Sequence, residues 1–136
     1  MSICNYRYSI IQYEVMEHFI KWYQNTFQLR DWTIMLTVDD KRPKEFEGLS
    51  YSNPGGCVTY ARNLVARIWI NPHGCIYENI NPLEVLCHEM MHVLCAAAPI
   101  DGCGEDSLIY KLQVVILDMY LKKNKLKFKL NENWSE

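Results

Sequence analysis

Apolar residues recur along the chain with different rhythms, and each rhythm predicts an element. From residue 9 to about 27, Tyr13, Met16, Ile20, Tyr23 and Phe27 return at helical spacing, and Ser9 with Gln12 makes a capping-box start. At 32–38 the period drops to two. Trp32, Ile34, Leu36 and Val38 alternate with Thr33, Met35 and Thr37, the pattern of a half-buried strand, and Asp39-Asp40 ends it. Residues 41–56 hold Pro43, Gly48, Ser50, Ser52, Asn53, Pro54 and Gly55 and read as a long loop, either part of a site or a plain connection. Two short strands follow at 57–61 and 65–70, and the brief link Arg62-Asn63-Leu64 favours an antiparallel hairpin.

Asn71-Pro72 stops the second of these strands, and 71–80 reads as a loop. Asn81 and Pro82 then supply an N-cap and a first-turn proline for a helix that runs to about Ala98, closed by Pro99 and Gly102. Glu84 falls where a capping-box carboxylate belongs, with support of His88 as its lesser role. A last helix spans 105–123. With Leu108 as the origin of its helical wheel, Leu112, Ile116, Met119, Ile109 and Val115 gather around a centre at about 50°. The tail 122–129 interleaves lysines with Leu126 and Phe128 and reads as a solvated face. This order predicts one α+β domain over residues 1–136: an N-terminal helix, a small, mainly antiparallel sheet of about three strands, a second helix and a final C-terminal helix.

Composition narrows the function classes. A chain of 136 residues can bury roughly two-thirds of its unfolded surface around a single core. Its net charge of −2 carries no nucleic-acid footprint. Residues 1–8 lack the apolar core of a signal peptide, and no apolar run reaches membrane-spanning length, so a cytoplasmic setting without membrane partners is expected. In that setting Cys4, Cys57, Cys75, Cys87, Cys95 and Cys103 are expected as reduced thiols. No CxxC pair exists, so a zinc ribbon is excluded.

Specific chemistry is concentrated in His88-Glu89-Met90-Met91-His92, inside the apolar run from Leu83 to Ala97. Residues four apart on a helix stack on one side, so both imidazoles point the same way with Glu89 beside them. This is the HExxH arrangement, in which two His nitrogens bind Zn²⁺ and the carboxylate works on the metal-bound water. Four His and ten Glu in the chain make a chance occurrence on the order of one in a hundred. Context sharpens the signal, because Leu83, Leu86, Met90, Val93, Leu94 and Ala97 fill the arc opposite Glu84, His88, His92 and Glu89. Polar side chains on so apolar a helix cost a few kcal/mol each unless satisfied, and metal coordination is an economical way to satisfy them. The plain alternative is two core histidines hydrogen-bonded to their neighbours. His18, flanked by Glu17 and Phe19, has no partner at ligand spacing and reads as a surface or packing residue.

A catalytic zinc needs a third protein ligand besides its water. The downstream donors are Asp101, Cys103, Glu105 and Asp106. On the wheel of the last helix Glu105 falls at about 60°, within the apolar stripe, and Asp106 at about 160°, beyond its edge. A carboxylate aimed into the core from a first turn, where the helix dipole favours its charge, is placed to coordinate. Glu105 is the preferred third ligand, with Asp106, Cys103, Asp101 and His73 as alternatives. Capping of its own helix is the other role open to Glu105.

The run from Leu83 to Leu94, preceded by a strand ending in Ile68-Trp69-Ile70-Asn71, resembles the active-site region of zincin metallopeptidases. More narrowly, it is similar to the small gluzincin-like proteins of bacteria and phages, and the likeness in element order extends from Ser9 to Lys123. It implies a zincin-like minimal catalytic domain: a helix, a small sheet, the HExxH helix and one further helix supplying a Glu ligand. It also implies a zinc-dependent peptidase whose substrate lies extended along a sheet edge. Cys95 and Ala98 stand where a metzincin has Gly and His, so that continuation of the motif is missing.

The expected reaction is hydrolysis of a peptide bond in a peptide or protein substrate. Zn²⁺ on His88, His92 and Glu105 lowers the pKa of a bound water toward about 7, and Glu89 takes the proton and returns it to the leaving amine. His73, Tyr77, Tyr60 and Tyr110 are candidates to stabilise the oxyanion, although Tyr110 falls on the wrong side of its helix. Strand 57–61 or 65–70 is the expected platform for substrate pairing. The rival reading is a non-catalytic, zinc-stabilised protein-binding module, marked by a fourth protein ligand such as Cys95 or Cys103. A DNA-associated protease, prompted only by the C-terminal lysines, is the weakest reading.

Overall fold

The computed structural model describes residues 11–98 and 106–124, with side chains from residue 13 in the first segment and from residue 109 in the second. The Ser9 capping start, the Pro99 and Gly102 closure, the lysine tail, and the donors Asp101, Cys103 and Glu105 lie outside the described residues. Within them the order is α1 (Ile11–Thr26), β1 (Thr33–Val38), β2 (Gly55–Tyr60), β3 (Val65–Ile70), α2 (Pro72–Glu78), α3 (Pro82–Ala97) and α4 (Asp106–Asn124). The architecture is α+β.

The strands lie in the order β1-β3-β2, so β3 is central. The short link between β2 and β3 closes the expected antiparallel hairpin, with Tyr60 opposite Val65 and Gly55 opposite Ile70. β1 runs parallel to β3, with Thr33 opposite Val65 and Val38 opposite Ile70. The sheet is therefore mixed, which corrects the expectation of a mainly antiparallel one. A parallel pair cannot be joined by a tight turn, and the loop 39–54 supplies the length to cross from one sheet edge to the other. That loop is packed along its way. A short 3-10 turn, Lys44–Phe46, buries Phe46 against Trp69 with ring centroids 5.8 Å apart. A Cβ on Gly56 would meet Leu49 at 2.6 Å, so the loop lies directly on this face.

The opposite face, built on Ala66, Ile68 and Ile70, belongs to the helical core. Met16, Phe19, Ile20 and Tyr23 of α1 and Leu83, Leu86 and Met90 of α3 pack there, each at most 6 % exposed. Gly55 is what lets α3 approach β2: a Cβ there would lie 2.5 Å from the Trp69 carbonyl oxygen and 2.8 Å from Val85.

Two expectations about the helices need correction. α2 occupies the stretch expected as a loop, because Asn71 acts as N-cap position and Pro72 as a first-turn proline, whose fixed φ suits a helix start. The Asn71 amide donates to the carbonyl oxygens of Tyr51 and Asn53 at 2.7 and 2.9 Å, tying this helix start to the crossing loop. In α4 the inward residues are Ile109, Gln113, Ile116, Leu117 and Tyr120, whereas Leu112, Val115 and Met119 are 37, 57 and 46 % exposed. On the wheel used above, the buried face centres at about 120°, a turn of about 70° from the expected stripe. Apolar residues occur nearly all round this helix, so their mean direction is a poor guide to the buried side.

The expectation of reduced thiols holds at Cys57, Cys75 and Cys87 and fails at Cys95, which is disulfide-bonded. The compartment argument bears on all six thiols alike and cannot single one out. Among the described residues no helix is long and apolar enough to cross a membrane.

Candidate functional site

The site is built on α3. Asn81 caps the helix as expected, its Oδ1 accepting from the Leu83 N–H at 2.8 Å with Pro82 next in line. Close packing then fixes which way the polar positions face. His88 and His92, one turn apart, have ring centroids 5.0 Å apart with planes at 78°, and both are half-buried. Glu89 is 6 % exposed. Burial pushes its carboxyl up to about 8 from an ordinary value of 4.5, because the charged form loses solvation and gains no matching partner charge. Across from it on β2, burial and then the Glu89 charge push the Cys57 thiol up to about 12.

α4 supplies the other wall. His88 Nδ1 lies 2.9 Å from Gln113 Oε1, and the Tyr110 ring sits over the His88 ring at 5.0 Å, tilted by 33°. The Cys87 thiol donates to the Gln113 carbonyl oxygen at 3.6 Å, a second tie between the two helices. The assignment of Tyr110 to the wrong side of its helix is thus corrected, and the cause is the turned face of α4. Of the four oxyanion candidates, only Tyr110 lines the cleft; Tyr60 and Tyr77 are 41 and 71 % exposed, and His73 is exposed on α2.

These side chains open into a cleft of about 740 Å³, lined by His88, Glu89, His92 and Glu84 of α3, Tyr110 and Gln113 of α4, and Gly55, Gly56, Cys57 and Thr59 of β2. Among the described residues its acidic lining is Glu78, Glu84 and Glu89. β3 pairs on both sides and offers no free edge, so of the two expected platforms only β2 remains. The Asn71 N–H donates to the Pro54 carbonyl oxygen at 2.8 Å, which fixes the phase of the ladder. Gly56, Val58 and Tyr60 therefore bond to β3, while Cys57 and Thr59 direct their N–H and C=O groups to the open edge. The Gly55 N–H, on the same side, is taken by Asn53 Oδ1 at 3.2 Å.

Two adjacent imidazoles facing a cleft can grip a divalent cation, and the hydrogen bond at His88 Nδ1 leaves Nε2 as the donor atom. The pair therefore fits one part of a zinc shell. Among the described residues, no His, Cys, Asp or Glu joins them to complete a three-donor group. The wheel that favoured Glu105 over Asp106 took the inner face of the last helix to centre at about 50°, whereas the buried side chains described on α4 centre at about 120°, so that argument no longer separates the two. Asp106 opens α4, four residues before Tyr110 and seven before Gln113 in helical register; its side chain is outside the described set.

Gln113 and Cys57 were not singled out from the sequence. Gln113 carried a usable signal, as a lone neutral polar residue between Leu112 and Val114-Val115-Ile116-Leu117. Compared with known proteins, the chain matches no family model, no curated protein and no solved structure.

Proposed function

We propose that the protein is a zinc-dependent peptidase, similar to zincin-like metallopeptidases of the small gluzincin-like type. His88, His92 and one further carboxylate, Glu105 by preference, would hold the ion. The observation that carries this reading is the pair of imidazoles, 5.0 Å apart, opening with Glu89 into a cleft bordered by an edge of β2 that no described strand pairs. Held by these residues, a zinc ion would supply Lewis-acid chemistry and would ease deprotonation of water near neutral pH.

The chain's own residues supply the rest. Glu89 accepts the proton of the attacking water and passes it to the leaving amine, and its buried, raised carboxyl is suited to proton exchange near neutral pH. The Tyr110 hydroxyl stabilises the developing oxyanion. The outward N–H and C=O groups of Cys57 and Thr59 hold an extended peptide by backbone hydrogen bonds. A cytoplasmic setting draws support from the free thiols Cys57, Cys75 and Cys87 and is opposed by the Cys95 disulfide.

The test is zinc analysis of the purified chain together with digestion of a mixed peptide library. Glu89→Gln keeps stoichiometric zinc and loses cleavage; retained turnover overturns the role of the carboxylate, and a native chain without zinc overturns the reading. A zinc-stabilised protein-binding module is favoured by one observation, the exposed apolar strip Leu112, Val115 and Met119 on α4. The disulfide removes Cys95 as its fourth ligand. That module would bind zinc through four protein donors and cleave nothing.

A further inference from the structure

We propose that Gln113 is the positioning residue of the metal centre: it accepts the Nδ1 proton of His88 and so holds the imidazole in the tautomer whose Nε2 carries the free lone pair. This rests on the reading of His88 as a ligand. An amide oxygen can only accept, so at a separation of 2.9 Å the ring nitrogen facing it must donate. A neutral imidazole with a proton on Nδ1 has a bare Nε2, the form a metal requires.

The surroundings make the arrangement hard to explain as packing alone. Gln113 is 7 % exposed, and every other buried side chain described on α4 is Ile109, Ile116, Leu117 or Tyr120. An aliphatic residue at 113 would pack there without the cost of burying an amide. That cost is offset where the amide meets a partner, and its partner is the histidine. Two further contacts restrain the pair. The Tyr110 ring covers one face of His88, and the Cys87 thiol donates to the Gln113 backbone oxygen, which fixes the pitch of α4 against α3.

The choice of an amide also has an electronic consequence. A carboxylate in this place raises the basicity of the imidazole, whereas an amide orients the ring without adding charge. The resulting centre binds zinc less tightly than one with a carboxylate partner and leaves the ion a stronger Lewis acid. Gln113→Glu should therefore tighten zinc binding, and Gln113→Leu should weaken it about 10- to 100-fold.

Two measurements on the full chain test this. The first is ¹⁵N NMR of the metal-free protein at pH 8, where the His88 ring is expected with its proton on Nδ1; a ring protonated on Nε2 overturns the proposal. The second is zinc affinity by chelator competition for the native chain, Gln113→Leu and Gln113→Glu. Weaker binding than native in the first variant, with tighter binding than native in the second, supports the positioning role. Equal affinities in native and Gln113→Leu chains overturn that role and leave the peptidase reading standing. A native chain that binds no zinc overturns the reading itself, whatever the tautomer. Should Gln113→Leu fail to fold, the native tautomer and the tighter binding of Gln113→Glu decide the matter, and unchanged affinity in Gln113→Glu counts against the proposal.

Discussion

The ring of Tyr110 lies over that of His88, with centroids 5.0 Å apart and planes 33° apart. An aromatic side chain that is 53 % exposed, beside a half-buried histidine, is held by a neighbour rather than by the core. Tyr110 also lines the cleft. On the proposed reading, Tyr110→Phe should lower kcat about 100-fold with KM nearly unchanged, because the bond it would lose forms only as an oxyanion develops. Zinc content should not move. A variant with native kcat would remove Tyr110 from the reaction.

Glu89 makes the metal-free protein sensitive to pH. Its carboxyl is raised to about 8 in the folded chain against an ordinary value of 4.5. Between these limits the native state holds a proton that the unfolded chain has released, so stability is fully present below pH 4.5 and is lost as pH rises toward 8. Urea midpoints of the metal-free protein should fall over this window by the equivalent of a few kcal/mol at most. Glu89→Gln should flatten the dependence. Zinc should oppose it, since a nearby cation favours the carboxylate.

Gly55 tests how closely α3 must sit on the sheet. A Cβ there would press on the backbone oxygen of Trp69 at 2.5 Å and on Val85 at 2.8 Å, and the backbone atom cannot turn aside. Gly55→Ala should cost about 1–3 kcal/mol in chemical denaturation. Because the same contact spaces β2 from α3, on the proposed reading the loss of peptide cleavage should exceed that expected from unfolding alone.

The true inner face of α4 predicts a contrast between neighbours. Ile116 is 7 % exposed, and Ile116→Ala should cost about 2–5 kcal/mol by opening a cavity. Val115 is 57 % exposed, and Val115→Lys should stay within about 0.5 kcal/mol of the native chain. Thermal denaturation of the two variants separates this face from the one expected from apolar spacing.

That contrast shows where the sequence was informative. The grouping of His88, Glu89 and His92 on one cleft was legible because residues three and four apart share a side of a helix, and the Asn81-Pro82 start because capping is local. The β2–β3 hairpin was legible for the same reason. The parallel partner of β1 was not, since that pairing joins positions about thirty residues apart and leaves no local pattern. α2 was hidden behind Pro72 and Gly74, two residues that commonly mark loops. Gly74 is there because a Cβ would strike the Asn53 carbonyl oxygen at 2.5 Å, a requirement set by a distant segment. In α4, apolar residues on every side masked the direction of the core, and with it the placement of Tyr110 and Gln113 beside His88.

The open edge of β2 has a consequence for selectivity. On the proposed reading, a substrate meets the outward N–H and C=O groups of Cys57 and Thr59 by presenting its own amides in a row, stretched and unpaired. Helices satisfy those amides internally and paired strands share them sideways, so native neighbours are poor quarry. On the proposed reading, what distinguishes prey from bystander is conformation rather than spelling, and damaged or newly made polypeptides are the ones exposed.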